Sequence, residues 1–106
     1  MPNTFKNYFV KNANTTTQNV FTAGAGVQAT VIGMTIANMT TSTATANVFV
    51  NSGGINYFLV KEATVPVGGS LVPVGGDQKL VLETTDILSV SASANCDIIA
   101  SVLEIS

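Results

Sequence analysis

Leu59–Val90 reads LVKEATVPVGGSLVPVGGDQKLVLETTDILSV, and the fold follows from how this stretch is punctuated. One five-residue phrase occurs in it twice: Val65-Pro66-Val67-Gly68-Gly69 returns as Val72-Pro73-Val74-Gly75-Gly76. Each copy is a short β-branched run ended by a Gly-Gly break. Proline has no N–H to give to a ladder, so Pro66 and Pro73 belong at strand starts, edges or bulges. Glycine supplies the positive φ that tight reversals need. Two apolar runs follow, Gln78–Glu83 and Ile87–Ala94, with Thr84-Thr85-Asp86 between them. In the first, Leu80 and Leu82 point in while Lys79, Val81 and Glu83 point out. In the second, Leu88, Val90, Ala92 and Ala94 alternate with serines. The stretch is therefore strand, turn, strand, turn, strand, turn, strand, and no helix fits between the turns.

Downstream, Asp97–Ile105 is apolar on both faces, with Ile98, Ala100 and Val102 on one and Ile99, Leu103 and Ile105 on the other. A terminal strand of that kind is central in its sheet or part of an interface. Upstream, Ala44–Asn51 and Asn56–Glu62 form a hairpin about Ser52-Gly53-Gly54. Ala46, Val48 and Val50 share one face of its first strand. Phe58 and Val60 share one face of its second, with Tyr57 and Leu59 on the other. Apolar bulk on both faces implies a second sheet over one and a loop or a neighbouring copy over the other. Val27–Asn38 sets Ile32, Met34 and Ile36 on one face and Gly33 and Thr35 on the other. Gly33 marks a bulge or a close backbone approach. Thr17–Ala23 is a strand centred on Val20 and Phe21, and Lys11–Thr16 is a loop. Met1–Val10 is a short strand with an extended lead-in, or an arm. Seven to nine short strands without a helical period give an all-β, single-domain antiparallel β-sandwich over residues 1–106. A jelly-roll-like order is the first reading and an immunoglobulin-like order the second.

Size permits this. A chain of 10.9 kDa should expose about 5,600 Å² when folded and roughly 16,000 Å² when unfolded, enough burial for one core without staples. Cys96 is the single cysteine, so no internal disulfide forms. Beside Asp97 it reads as a small buried hydrophobe rather than a reactive thiolate.

Charge is the unusual quantity. Only 9% of residues are charged, against about 25% in an average domain. The chain holds 14 Thr, 10 Asn and 8 Ser, and no Arg, His or Trp. A short, neutral, polar surface hydrates well but repels its neighbours weakly, which suits packing against other copies. With net charge −2 and four lysines, no phosphate track can be neutralised, so nucleic acid is excluded as a partner. Mean hydropathy is +0.43, yet no run is long enough to span a membrane, and the N-terminus lacks the apolar core of a signal peptide. Synthesis in a cytoplasm is expected.

Site chemistry is sparse. Gly24-Ala25-Gly26-Val27-Gln28-Ala29 fits a dinucleotide fingerprint, but a strand follows where a helix is required, and the next acid is Glu62. It reads as a β-turn. Asp77, Glu83 and Asp86 gather about one turn; a calcium site needs several converging oxygens and a glycosidase two facing carboxylates. The simpler reading is that Asp86 caps the turn and Glu83 is solvated. With no His, nucleophilic catalysis lacks its usual base. No catalytic residue, cofactor or metal is expected. Asn14-Thr15-Thr16 and Asn38-Met39-Thr40 fit the glycosylation sequon but read as loop residues. Tyr57 reads as a packed side chain before a sugar-binding one.

Tyr57-Phe58-Leu59-Val60-Lys61, VPVGGSLVPVGGDQKLVLE, Asp86-x-Leu88-x-Val90 and Ser101-Val102-Leu103-Glu104-Ile105 together resemble small virion structural proteins of tailed bacteriophages. Asn3-Thr4-Phe5-Lys6-Asn7-Tyr8-Phe9 is similar as well. The likeness spans nearly the whole chain and carries no catalytic signature. One departure is visible: Thr85-Asp86 stands where Gly-Asp is more usual. The resemblance implies a β-sandwich of the virion, made in the host cytoplasm and added to a capsid or tail surface. Its partners would then be the major capsid protein or tail proteins, and a homotrimer is the natural form. A decoration or cement protein is expected first, a tail, neck or fibre component second, and a carbohydrate-binding adhesion module third. The interface residues expected are Phe5, Tyr8, Phe9, Tyr57, Ile99, Leu103 and Ile105. Residues 1–10 would dock on a neighbour as an arm, so that their removal weakens assembly and spares the fold.

Overall fold

A computed structural model describes residues 3–74 and 79–105. Nine strands account for most of them: β1 (Asn3–Ala13), β2 (Gln18–Thr22), β3 (Gln28–Asn38), β4 (Ala44–Ser52), β5 (Ile55–Val65), β6 (Ser70–Val74), β7 (Leu80–Leu82), β8 (Ile87–Ala92) and β9 (Cys96–Ile105). One sheet runs β1-β9-β3-β6, with β7 also on β3; the other runs β2-β8-β4-β5. β6 and β7 share the far edge of β3, pairing with Met34–Ala37 and Ala29–Val31 respectively. Counted as one interrupted strand, they complete a nested order in which first pairs last, second pairs next to last, and so inward to the β4–β5 hairpin. This is the jelly-roll-like order expected, and it excludes the immunoglobulin-like alternative. The total surface of 5632 Å² matches that expected of a chain this size.

The core is where the two alternating patterns meet. Val48, Val50, Leu88 and Val90 come from one sheet; Val31, Met34, Ile36, Ile98, Ala100 and Val102 come from the other. Most of their outward neighbours are polar or exposed, as period two allows; Phe49 is an apolar exception, only 7% exposed on the outer side of β4.

Bulges correct the alternation in β3, β5 and β2, and in β1 between Val10 and Ala13, both of which are buried. In β3 the register shifts between Val31 and Gly33. Parity flips there, so Val31 is buried with Met34 and Ile36, and Ile32 leaves the core face on which it was expected. In β5, Val60 pairs with the inward Val48 but Phe58 pairs with the outward Phe49. Leu59 is the extra residue, and Phe58 and Val60 therefore do not share a face. In β2 the shift between Asn19 and Phe21 lets Val20 and Phe21 both be buried.

The repeated phrase adopts two structures. In the first copy Val65 ends β5, and Pro66–Gly69 is a turn closed by Gly69 N–H donating to the Pro66 carbonyl at 3.0 Å, with Gly68 at φ 70°. In the second copy Val72, Pro73 and Val74 lie in the edge strand β6, where a missing N–H goes unnoticed. Gly75-Gly76, the second break, lies outside the described residues.

Of the strand and the arm expected at the N-terminus, β1 is the strand. It runs through Lys11 to Ala13, which had read as loop, and pairs with β9 from Asn3↔Ile105 to Ala13↔Cys96. Val10 and Ala13 are core residues. Residues 3–13 are an edge strand of the sandwich rather than a detachable segment.

Asn38 ends β3 and is buried. Its Nδ2 donates to the Ser42 and Val65 carbonyls at 2.8 and 3.0 Å, and its Oδ1 accepts from the Thr40 N–H and Oγ1, both at 2.8 Å. The sequon at Asn38 is thereby closed to modification, because its amide is consumed inside the fold.

Candidate functional site

β9 is the central strand of the larger sheet on which the site is built. Ile98, Ala100 and Val102 face the core, so Ile99, Ser101, Leu103 and Ile105 face outward. Residues opposite each other in an antiparallel ladder project to the same side. Phe5 opposite Leu103, Asn7 opposite Ser101 and Phe9 opposite Ile99 therefore stand on this outer face. β3 continues the rows through Thr30 beside Leu103, Gly33 beside Ser101 and Thr35 beside Ile99. β7 adds Val81 beside Thr30.

The result is a ridged surface. Phe5 and Leu103 make one ridge, Phe9 and Ile99 a second. Phe5 is 74% exposed, Phe9 65% and Ile99 51%. Between the ridges runs a trough floored by Asn7, Ser101 and the bare Gly33. An open hollow of about 620 Å³ lies over Asn7 and Ser101, bounded by Phe5, Lys6, Ile32 and Val102. Beyond the second ridge a smaller hollow of about 210 Å³ separates Phe9 and Ile99 from Lys11 and Asp97. Lys11 Nζ lies 2.9 Å from Asp97 Oδ2, so the charges at this end of the face are paired.

Phe5, Phe9, Ile99, Leu103 and Ile105 are thus gathered on one outer face, and Tyr8 and Tyr57 are not. Tyr8 projects to the other side of β1. Its ring lies 4.7 Å from that of Phe21, and its hydroxyl donates to Glu104. Burial, and then the hydrogen bond to Glu104, push the phenol up to about 12. Lys6 Nζ is 3.9 Å from the same carboxylate. This cluster fastens the end of β1 to β9. Tyr57 lies on β5, at the edge of the other sheet, with Ile55 and Phe58 also exposed near it. Phe58 packs on Phe49 at 5.0 Å and carries Lys61 over its ring at 5.4 Å. β5 is an open edge, but two register shifts against β4 and the charges of Lys61 and Glu62 blunt it against strand addition.

Two members of the ridged face escape sequence reading. Val81 was placed outward, but only the β3–β7 ladder sets it beside Thr30. Ile32 reaches the trough because of the Gly33 bulge, whose signal in the sequence is the glycine alone.

The acidic turn is structural. Asp86 Oδ2 accepts from the Glu83 N–H at 3.0 Å, and Glu83 is exposed. Asp77 lies outside the described residues, and no group of metal-ligating side chains forms among the described ones. Gly24–Val27 is a turn, with Val27 N–H donating to the Gly24 carbonyl at 3.1 Å, and a strand follows. Cys96 is fully buried, and burial followed by the Asp97 charge raises its thiol pKa.

No protein-family model matches the chain, and no curated protein matches it in sequence. Among solved structures, a chain of Bacillus endospore appendages, described as disulfide-linked pili, aligns with TM-score 0.56 at 14% identity over 98% of this chain and 88% of that one. A chain of the acidic stable capsid of Helicobacter pylori bacteriophage KHP30 aligns with TM-score 0.50 at 10% identity, over 98% and 93% respectively. At such identities the likeness is one of fold. Both neighbours are parts of protein assemblies, a pilus and a capsid.

Proposed function

We propose that this chain is a structural protein of a bacteriophage virion, acting as a capsid decoration or cement protein. It would stabilise the shell through contacts with the major capsid protein and with its own copies. The observation that carries this reading is the ridged face: large exposed apolar side chains, a neutral polar background and paired charges at its end. That is the chemistry of a protein–protein contact. The fold shared with a phage capsid chain supports the same reading, as does a surface poor in charge. Phe5, Phe9, Ile99, Leu103 and Ile105 are the proposed contact residues. Tyr8 enters only by holding β1 in place, and Tyr57 belongs to a separate surface.

A tail, neck or fibre position in the same particle is the second form of this proposal. An adhesion role fits less well, because the exposed aromatics stand on a strand face and not together on a loop surface. A disulfide-linked pilus fits less well too, since the single cysteine is shut in the core with its thiol pKa raised.

The test is the copy number of the chain in purified particles, by quantitative mass spectrometry against the major shell protein. A ratio near that of the shell protein supports decoration. A few copies per particle move it to neck, tail or fibre. Absence from particles ends the virion reading.

A further inference from the structure

We infer that the outer face of the β1-β9-β3 sheet is self-complementary, and that its occupant is a second copy of the same chain related by a two-fold axis.

The argument is geometric. Rows on one side of a strand repeat every two residues, about 6.8 Å. Along β1 the outward rows are Phe5, Asn7 and Phe9, opposite Leu103, Ser101 and Ile99 on β9, and within the register shift that follows Val10 the Lys11–Asp97 ion pair ends the face. In relief these alternate as ridge, trough and ridge, with the ion pair behind a small hollow. A two-fold axis lying across the strands, midway between the Asn7 and Phe9 rows, exchanges those rows. The Phe9–Ile99 ridge of each copy then enters the Asn7–Ser101 trough of the other. Gly33 puts no side chain at the β3 end of that trough, where a Cβ would meet only the Val74 carbonyl, at 3.8 Å, and Ile32 bounds it on that side. The same operation sets Phe5 of one copy over Lys11 of the other, a cation on an aromatic face. It also creates no clash of like charge, because Lys11 arrives already paired with Asp97. Stacked sheets lie about 10 Å apart, which this relief accommodates.

Area sets the strength. From Phe5 to Lys11 along the strands and from β1 to β7 across them, the face measures roughly 20 by 19 Å in projection. That falls short of the about 800 Å² per partner typical of a stable complex, so the pair is a weak one in solution. Repetition in a particle would strengthen it by avidity. A two-fold pair uses one face twice, whereas the trimer expected from the sequence needs two different faces. The inference stands apart from the virion reading: copy number in particles tests that, and mass in solution tests this.

Sedimentation equilibrium of the full chain from roughly 10 µM to 1 mM should show a reversible rise from one chain mass towards two. Phe9→Asn, at an exposed position, should weaken the pair at least ~10-fold, with an unchanged circular dichroism spectrum. Asn7→Trp should weaken it as well, by filling the trough. Tyr57→Asn, on the other sheet, should leave it unchanged. Tighter association in Asn7→Trp would mean mere stickiness and overturn the inference. So would a species of three chains, a monomer throughout the range, or a Phe9→Asn variant that pairs like the parent.

Discussion

Replacing Asn38 tests how the β3–β4 corner is held. The side chain is 6% exposed and spends both amide hydrogens and its oxygen on partners in the loop and in β5. In Asn38→Ala, the one Thr40 hydroxyl hydrogen, which in the parent has Asn38 Oδ1 and the Ser42 carbonyl both at 2.8 Å, goes to the Ser42 carbonyl alone, and the Thr40 N–H turns to water. The Val65 carbonyl loses its Asn38 donor in a fully buried residue. One buried acceptor deprived of its donor costs about 1–3 kcal/mol, and the remaining bonds about 0.5–1 kcal/mol each. The expected loss is therefore about 3 kcal/mol, which lowers the melting midpoint by roughly 12–20 °C in a domain of this size. Urea unfolding followed by far-ultraviolet circular dichroism measures it. Asn38→Asp gives a sharper readout. An ionised carboxylate faces two carbonyls without a proton to give, and only the neutral acid donates. Its folded pKa is therefore raised above the unfolded value of about 3.9. Stability linked to such a group is complete below the unfolded pKa and lost as pH rises through the folded one. The deficit of Asn38→Asp relative to the parent should then shrink on going from pH 7 towards pH 4. A loss under about 1 kcal/mol in Asn38→Ala, or a deficit in Asn38→Asp that ignores pH, would mean that water serves these groups and that the corner is not held by Asn38.

Thr85 stands at φ 75°, the left-handed region that L side chains avoid; Thr85→Gly should raise stability by roughly 0.5–1 kcal/mol, and a loss in urea unfolding would refute the strain. A Cβ on Gly69 would lie 2.8 Å from Pro66 Cγ, so Gly69→Ala should cost about 1–3 kcal/mol, most of it recovered in a double variant with Pro66→Ala. In a Tyr57→Phe background, absorbance titration should find the Tyr8 phenol ionising near 12. Stability linked to Tyr8 is then intact below the unfolded value of about 10 and lost as pH rises towards 12, and a Tyr8→Phe variant should lack that loss. Deleting residues 1–10 should unfold the chain by circular dichroism, since Val10 and the pairing with β9 go with them; a folded product would restore the arm. Cys96 should resist a thiol reagent in the native state and react fully on denaturation.

The sequence by itself determined the class of the molecule. Gly, Pro and Thr-Asp breaks at short intervals fix where strands end, because φ preference and the lost proline N–H are properties of single residues. Strict alternation in Ala44–Asn51 and Ile87–Ala92 chose the core side of those strands, because side-chain direction in a strand is local. Only the tertiary structure decided the rest. Whether VPVGG turns or extends depended on the edge of β3 being free to receive Val72–Val74 and not Val65–Val67. Where parity flips, at Gly33 and Leu59, depended on the partner strand, since a bulge is a mismatch between two chains and is invisible in either one. The residues of the ridged face are brought together by the pairing of β1, β9, β3 and β7, which are distant in sequence. Loop-closing pairings of that kind are chosen by the burial they make possible over the whole sandwich, and no local stretch encodes them.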